Sequence, residues 1–128
     1  MTNPFRDQEK FMKACDQSVG DWNEDQFNMY LKLIEEECKE LVLALNHKDR
    51  VETLDALLDI VVVCIGAMHS MGADPEGGWK EVMNTNFAKI DKETGKVRKR
   101  EDGKVLKPIG WAPPNLKQFV KEIGRAHV

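Results

Sequence analysis

A chain of 128 residues with 41% hydrophobic content can fold as one domain around a modest core, and its formal net charge of −3 points neither to nucleic acid nor to an anionic membrane. Its longest apolar run, near residues 56–68, is too short to span a bilayer and contains Asp59. No basic-then-apolar leader opens the chain, and Cys15, Cys38 and Cys64 form no CxxC or Cys/His metal pattern. A cytoplasmic protein with reduced, mostly core thiols is therefore expected, with no disulfide and no structural zinc.

Taken in chain order, residues 5–18 predict a first helix with Phe5, Phe11, Met12 and Cys15 apolar, broken by Gly20. Asp25 is a suitable cap for a second helix reaching about Leu45, whose core stripe reads Leu31, Ile34, Cys38, Leu41 and Leu45. After a polar loop, NHKDR, a third helix runs from about Val51 to Ser70 and stops at Gly72, a C′ glycine. Asp74 followed by Pro75 starts a fourth, with Trp79, Val82, Met83 and Phe87 as its core face. Beyond residue 88 the composition shifts. Residues 89–107 hold eight Lys and Arg against four acids, and the glycines of ETGK and EDGK mark tight turns, so a small hairpin or ordered arm is expected. The segment PIGWAPPN favours an extended path, and residues 115–123 can form a last short helix.

Asp59 is the only charged residue in LLDIVVVCIGAM, residues 57–68. A carboxylate buried without a partner is costly, so it must gain a proton, a partner or a cation. Asp55 lies one turn earlier, with Glu52 before it, and LIEEECKEL supplies Glu35, Glu36, Glu37 and Glu40 on the preceding helix. At about 100° per residue, Glu37 falls at the margin of the core stripe with Glu40 and Glu36 beside it. Acids on one helix then face acids on the next if the two pack side by side. Mg²⁺ or Mn²⁺, hard ions that take oxygen ligands, suit such a cluster. An EEE run alone is more often a solvated face, and a buried Asp can cap a backbone or pair with Lys. Acids on two consecutive helices turn the balance towards a site. A di-iron bundle would need Glu-x-x-His pairs, which are absent, and His47 and His69 read as structural or exposed.

Glu36, Glu37 and Glu40 match the EExxE motif of the all-α nucleoside triphosphate pyrophosphohydrolases, which the chain resembles; DALLDIVVV sits where that superfamily carries ExxD. The likeness is greatest to the phosphoribosyl-ATP pyrophosphohydrolase-like, MazG-like group of phages and bacteria. There EVMNTNFAK, DGKVLKP and an aromatic followed by PP also find counterparts, through Asn86, Lys89, Lys104 and Lys107. The resemblance spans roughly residues 28–116. One departure is plain: aligned on Asp59, strict ExxD would place Glu at position 56, which is Ala56, so Asp55 serves instead. A second register, Glu52 with Asp55, meets the motif literally but leaves Asp59 without a role.

The resemblance implies an all-α, four-helix-bundle-like domain with a helical core over about 5–88 and a basic arm and Pro-rich tail over 89–128. It implies hydrolysis of a nucleoside triphosphate between the α and β phosphates, with a homodimer or homotetramer as the assembly. Glu37, Glu40, Asp55 and Asp59 would bind Mg²⁺, and Glu36 would orient or deprotonate the attacking water, making Glu36, Glu37, Glu40 and Asp59 the catalytic set. Lys89, Arg98, Lys104 and Lys107 would hold the phosphates, with Asn86 reading a base edge or a phosphate. A solvated basic tail and a plain helix-terminal Asn are the competing readings of those residues. Trp22 and Trp111 are either base platforms or anchors. The rival functions are phosphoribosyl-ATP hydrolysis in histidine biosynthesis and a non-catalytic helical module that binds nucleotide or protein. Nucleic-acid binding through residues 96–107 ranks below both, because acids interrupt the basic run.

Overall fold

The computed structural model describes residues 3–121. Among them are four α-helices, α1 Pro4–Ala14, α2 Glu24–Asn46, α3 Arg50–Ser70 and α4 Pro75–Phe87, with a 3₁₀ turn at Lys117–Phe119. The protein is all-α; extended pairing among the described residues is limited to isolated antiparallel bridges. None of these helices is long and apolar enough to cross a membrane. The residues fall into two compact units, one reaching Pro75 and including Val120 and Lys121, the other Glu76–Phe119, so α4 groups with the basic arm.

In the first unit α2 packs most extensively on α3, and α1 packs on α3. Polar caps set where the helices begin. The side chain of Asn3 accepts from Arg6 N–H, Asn23 from Gln26 N–H, and Asp49 from both Val51 and Glu52 N–H. The cap of α2 is thus Asn23, and Asp25 sits inside the first turn, where the helix dipole favours its charge. The first helix stops at Ala14, short of the expected residue 18, because Asp16 turns left-handed at φ 58°. The segment after it is stitched to the end of α3 instead: Gly20 N–H donates to His69 O and Asn23 N–H to Ser70 O. Gln26 Nε2 donates to Ser18 O and to Ser70 Oγ, both at 2.8 Å. Gly72 occupies the predicted C′ position with φ 75°, and a β-carbon there would press on Trp22 N at 3.2 Å.

The centre of this unit is Met12, Tyr30 and Ala67, with Phe27, Ile34 and Val63 against them. Tyr30 lies so close over Gly66 that a β-carbon at 66 would fall within its ring, and its hydroxyl donates to Gln17 Oε1. On α2 the side that turns inward is Phe27, Tyr30, Ile34, Glu37, Leu41 and Ala44, a three-four spacing, with Tyr30 and Ala44 buried. The expected stripe is therefore half right: Ile34 and Leu41 are on it, whereas Leu31, Cys38 and Leu45 are exposed. Apolar residues surround so much of α2 that periodicity alone does not say which stripe meets α3. The helix α3 repeats the pattern, burying Ala56, Gly66, Ala67 and Ser70 while exposing Leu54, Leu58 and Val61. The expectation of mostly core thiols fails for the same reason: Cys15 and Cys38 are free and exposed, and only Cys64 is half-buried.

In the second unit α4 begins at Pro75 as predicted, and Val82 and Met83 are half-buried, but Trp79 and Phe87 are each 56% exposed. The arm makes two tight turns where ETGK and EDGK place their glycines. Asp91 N–H donates to Lys96 O around Gly95, and Arg100 N–H to Lys104 O around Gly103, with antiparallel bridges Ile90–Val97 and Lys99–Val105. The side chains of Asp91 and Asp102 accept from backbone N–H groups inside these turns. Of the expected last helix only the 3₁₀ turn at 117–119 forms; residues 122–123 and the final GRAHV lie outside the described residues.

Candidate active site

Glu37 and Asp59 are both half-buried, on the inward sides of α2 and α3, although each neighbouring position on those sides is apolar or small. Glu36, Glu40 and Asp55 are exposed beside them. Burial, then the nearby carboxylates of Asp59, Glu40, Asp55 and Glu36, hold the carboxyl of Glu37 above its usual range. Both helices therefore contribute acid to one place, and Glu37 is its middle. The fourth glutamate of the run is elsewhere: Glu35 pairs with Lys39 at 3.6 Å on a face where both side chains are more than two-thirds exposed. Glu52 lies in the first turn of α3, one turn before Asp55, where its N–H is capped by Asp49.

The side chains that gather here are carboxylates, whose oxygens suit a hard divalent ion. Among the described residues no three His, Cys, Asp or Glu side chains close up enough to hold an ion as they stand. The acids converge electrostatically, and the mutual repulsion felt at Glu37 is what a cation entering between α2 and α3 would relieve. His69 takes no part: it is buried, with Nε2 3.0 Å from Phe5 O, tying α1 to α3.

The predicted phosphate ligands lie in the second unit, and the structure brings some of them together. Lys89 Nζ donates to Asn86 Oδ1 at 3.1 Å, so the carboxamide oxygen of Asn86 is engaged by its neighbour rather than free to read a base. The same Nζ lies 4.9 Å from the centre of the Trp111 ring, and Lys107 Nζ lies 5.0 Å from it. The indole is an anchor as well, donating from Nε1 to Thr85 O at 2.7 Å. Arg98 and Lys104 are exposed on the arm, their backbones held by the second turn: Arg98 O accepts from Leu106 N–H, and Lys104 N–H donates to Asp102 Oδ1. Trp22 is half of a pair with Phe27, centroids 5.3 Å apart. The grouping of two lysines on one indole was not readable from spacing, because Lys107 lies 18 positions beyond Lys89.

An all-α fold whose two longest helices share a carboxylate cluster defines the class of the MazG-like proteins. The family model for phosphoribosyl-ATP pyrophosphohydrolase matches residues 7–86, and the chain belongs to that family. The match includes every acid of the cluster and ends at Asn86, before the lysines of the arm. Comparison with curated proteins gives no match. Pyrophosphohydrolysis of a nucleotide is thus the activity of the family, whose enzymes in general depend on a divalent metal.

Proposed function

We propose that the protein hydrolyses a nucleoside triphosphate between its α and β phosphates, with Mg²⁺, to a monophosphate and pyrophosphate. The observation that carries this reading is the half-buried Glu37, its carboxyl raised first by burial and then by four carboxylates drawn from two helices. A solvated acidic face would spread such charges, not gather them around a desolvated one. Glu37, Glu40, Asp55 and Asp59 are the residues that would hold the ion, which supplies charge neutralisation on the phosphates and an acidified water. Mn²⁺ satisfies the same oxygen donors. Glu36, beside them and open to solvent, orients the attacking water and takes its proton. Lys89, Lys107, Lys104 and Arg98 offset the negative charge of the triphosphate.

The open apolar faces of α2 and α3 belong to this reading too. Leu45, Leu54, Leu57 and Leu58 are each between 45% and 58% exposed in the single chain, more apolar surface than an isolated two-helix face keeps in water. They pack against a second copy in a homodimer, or in a homotetramer built from it.

The test is pyrophosphate release from a panel of ribo- and deoxynucleoside triphosphates, with phosphoribosyl-ATP alongside, using wild type and Asp59→Asn. Wild type releases pyrophosphate only with divalent metal. The variant loses more than the roughly 10–100-fold that removal of an outer-shell partner costs. Release from phosphoribosyl-ATP alone favours the second reading, phosphoribosyl-ATP hydrolysis in histidine biosynthesis, phosphoribosyl-ATP being the substrate after which the family is called. No release from any of these substrates overturns the enzymatic reading in favour of a binding module.

A further inference from the structure

The fold brings two ammonium groups onto one indole, and the chain is built to keep them there. Residues 108–111 form a tight turn in which Trp111 N–H donates to Pro108 O at 3.0 Å. Gly110 is its third residue, at φ 81°, a position that a type II turn reserves for glycine. The turn folds Trp111 back beside Lys107, the residue immediately before it, while Nε1 of the indole is fixed to Thr85 O at the end of α4. Lys89 comes from the other direction, just past α4, steadied by Asn86. With Lys89 Nζ 4.9 Å and Lys107 Nζ 5.0 Å from the same ring centre, the two ammonium groups lie within about 10 Å of each other; the ring offsets part of their repulsion, and one polyphosphate chain is long enough to meet both.

We infer that Trp111 is a positioning residue which holds Lys89 and Lys107 as a paired clamp for one polyphosphate. It rests on the nucleotide reading above only for the identity of the natural ligand. Arg98 and Lys104 contribute long-range charge, and the directed contacts come from the pair on the ring.

The test measures binding of inorganic tripolyphosphate to the full chain by calorimetry, in EDTA so that the acidic cluster takes no part. Wild type binds. Trp111→Leu, which removes the ring, and Lys107→Gln each weaken binding at least tenfold, whereas Trp111→Phe, which keeps a ring but loses the Nε1 bond, retains most of it. Gly110→Ala, where an added methyl meets no atom within 4 Å and only the turn is strained, weakens binding without the loss of any ligand-contacting group. Binding lost equally in the Phe and Leu variants would make Trp111 a plain structural anchor and overturn the inference. So would wild-type affinity in Lys107→Gln and Gly110→Ala together, or no binding by wild type. Tripolyphosphate binding with this pattern, in a protein that hydrolyses none of the nucleotides, upholds the clamp and sinks the proposed activity alone.

Discussion

Gly66 of α3 lies directly under the ring of Tyr30 of α2, with no room between them for a methyl group. That approach sets the spacing of the two helices that carry the acids. Gly66→Ala forces Tyr30 from its place in the core and costs about 1–3 kcal/mol. Gly78→Ala in α4 is the matched control. Its new methyl would meet only Leu116 at 3.9 Å, and a helix-interior alanine gains about 0.5–1 kcal/mol. Denaturant midpoints of the two variants move in opposite directions.

The raised carboxyl of Glu37 has a definite sign in stability. A carboxyl whose value is raised on folding contributes stability below the ordinary carboxylate range, and that contribution is lost as pH rises through the raised value. In EDTA at pH 7 Glu37 is therefore a burden, and Glu37→Gln melts at a higher temperature than wild type. At pH 4 the two converge. Millimolar Mg²⁺ at pH 7 raises the wild-type melting temperature and leaves the variant nearly unmoved. A Glu37→Gln variant less stable than wild type in EDTA would contradict this account.

The exposed leucines of α2 and α3 make a prediction about mass. Light scattering on wild type gives at least twice the 14.6 kDa of the single chain. Leu54→Glu with Leu58→Glu, two acids on a face that is more than half exposed in the single chain, leaves a soluble monomer of unchanged helicity.

Asp49 caps α3 through two backbone N–H groups, and Thr53 Oγ1 donates to its carbonyl oxygen. Asp49→Ala costs about 1 kcal/mol by loss of the cap alone. Because α3 carries Asp55 and Asp59, hydrogen exchange in its first turn rises before any loss of global stability is seen.

The helices were legible because their signals are local: Asp74–Pro75 opens a helix, Gly72 closes one, and ETGK and EDGK turn the arm. The acids were legible as a group because Asp59 interrupts an apolar run. What the sequence left open was decided by packing. Which stripe of α2 faces α3 depends on Tyr30 finding Gly66, a match between residues 36 positions apart. Hence Glu37, which periodicity placed at a margin, stands on the inward side, and Leu31 and Leu45 do not. The meeting of Lys89 and Lys107 on Trp111 needed the arm to fold first. That Trp79 and Phe87 stay exposed on α4 has no local signal at all.

Positions 37 and 59 have one more consequence. Both occupy places in the helix seam that folding alone would fill with leucine or valine, as Ile34, Leu41 and Val63 fill the places around them. Directed evolution for heat resistance, run without any demand for activity, is expected to replace these two acids early with apolar residues. Variants recovered that way would be sturdier and inert. On the proposed assignment of Glu37 and Asp59, these two positions are where the demands of chemistry and of folding pull against each other.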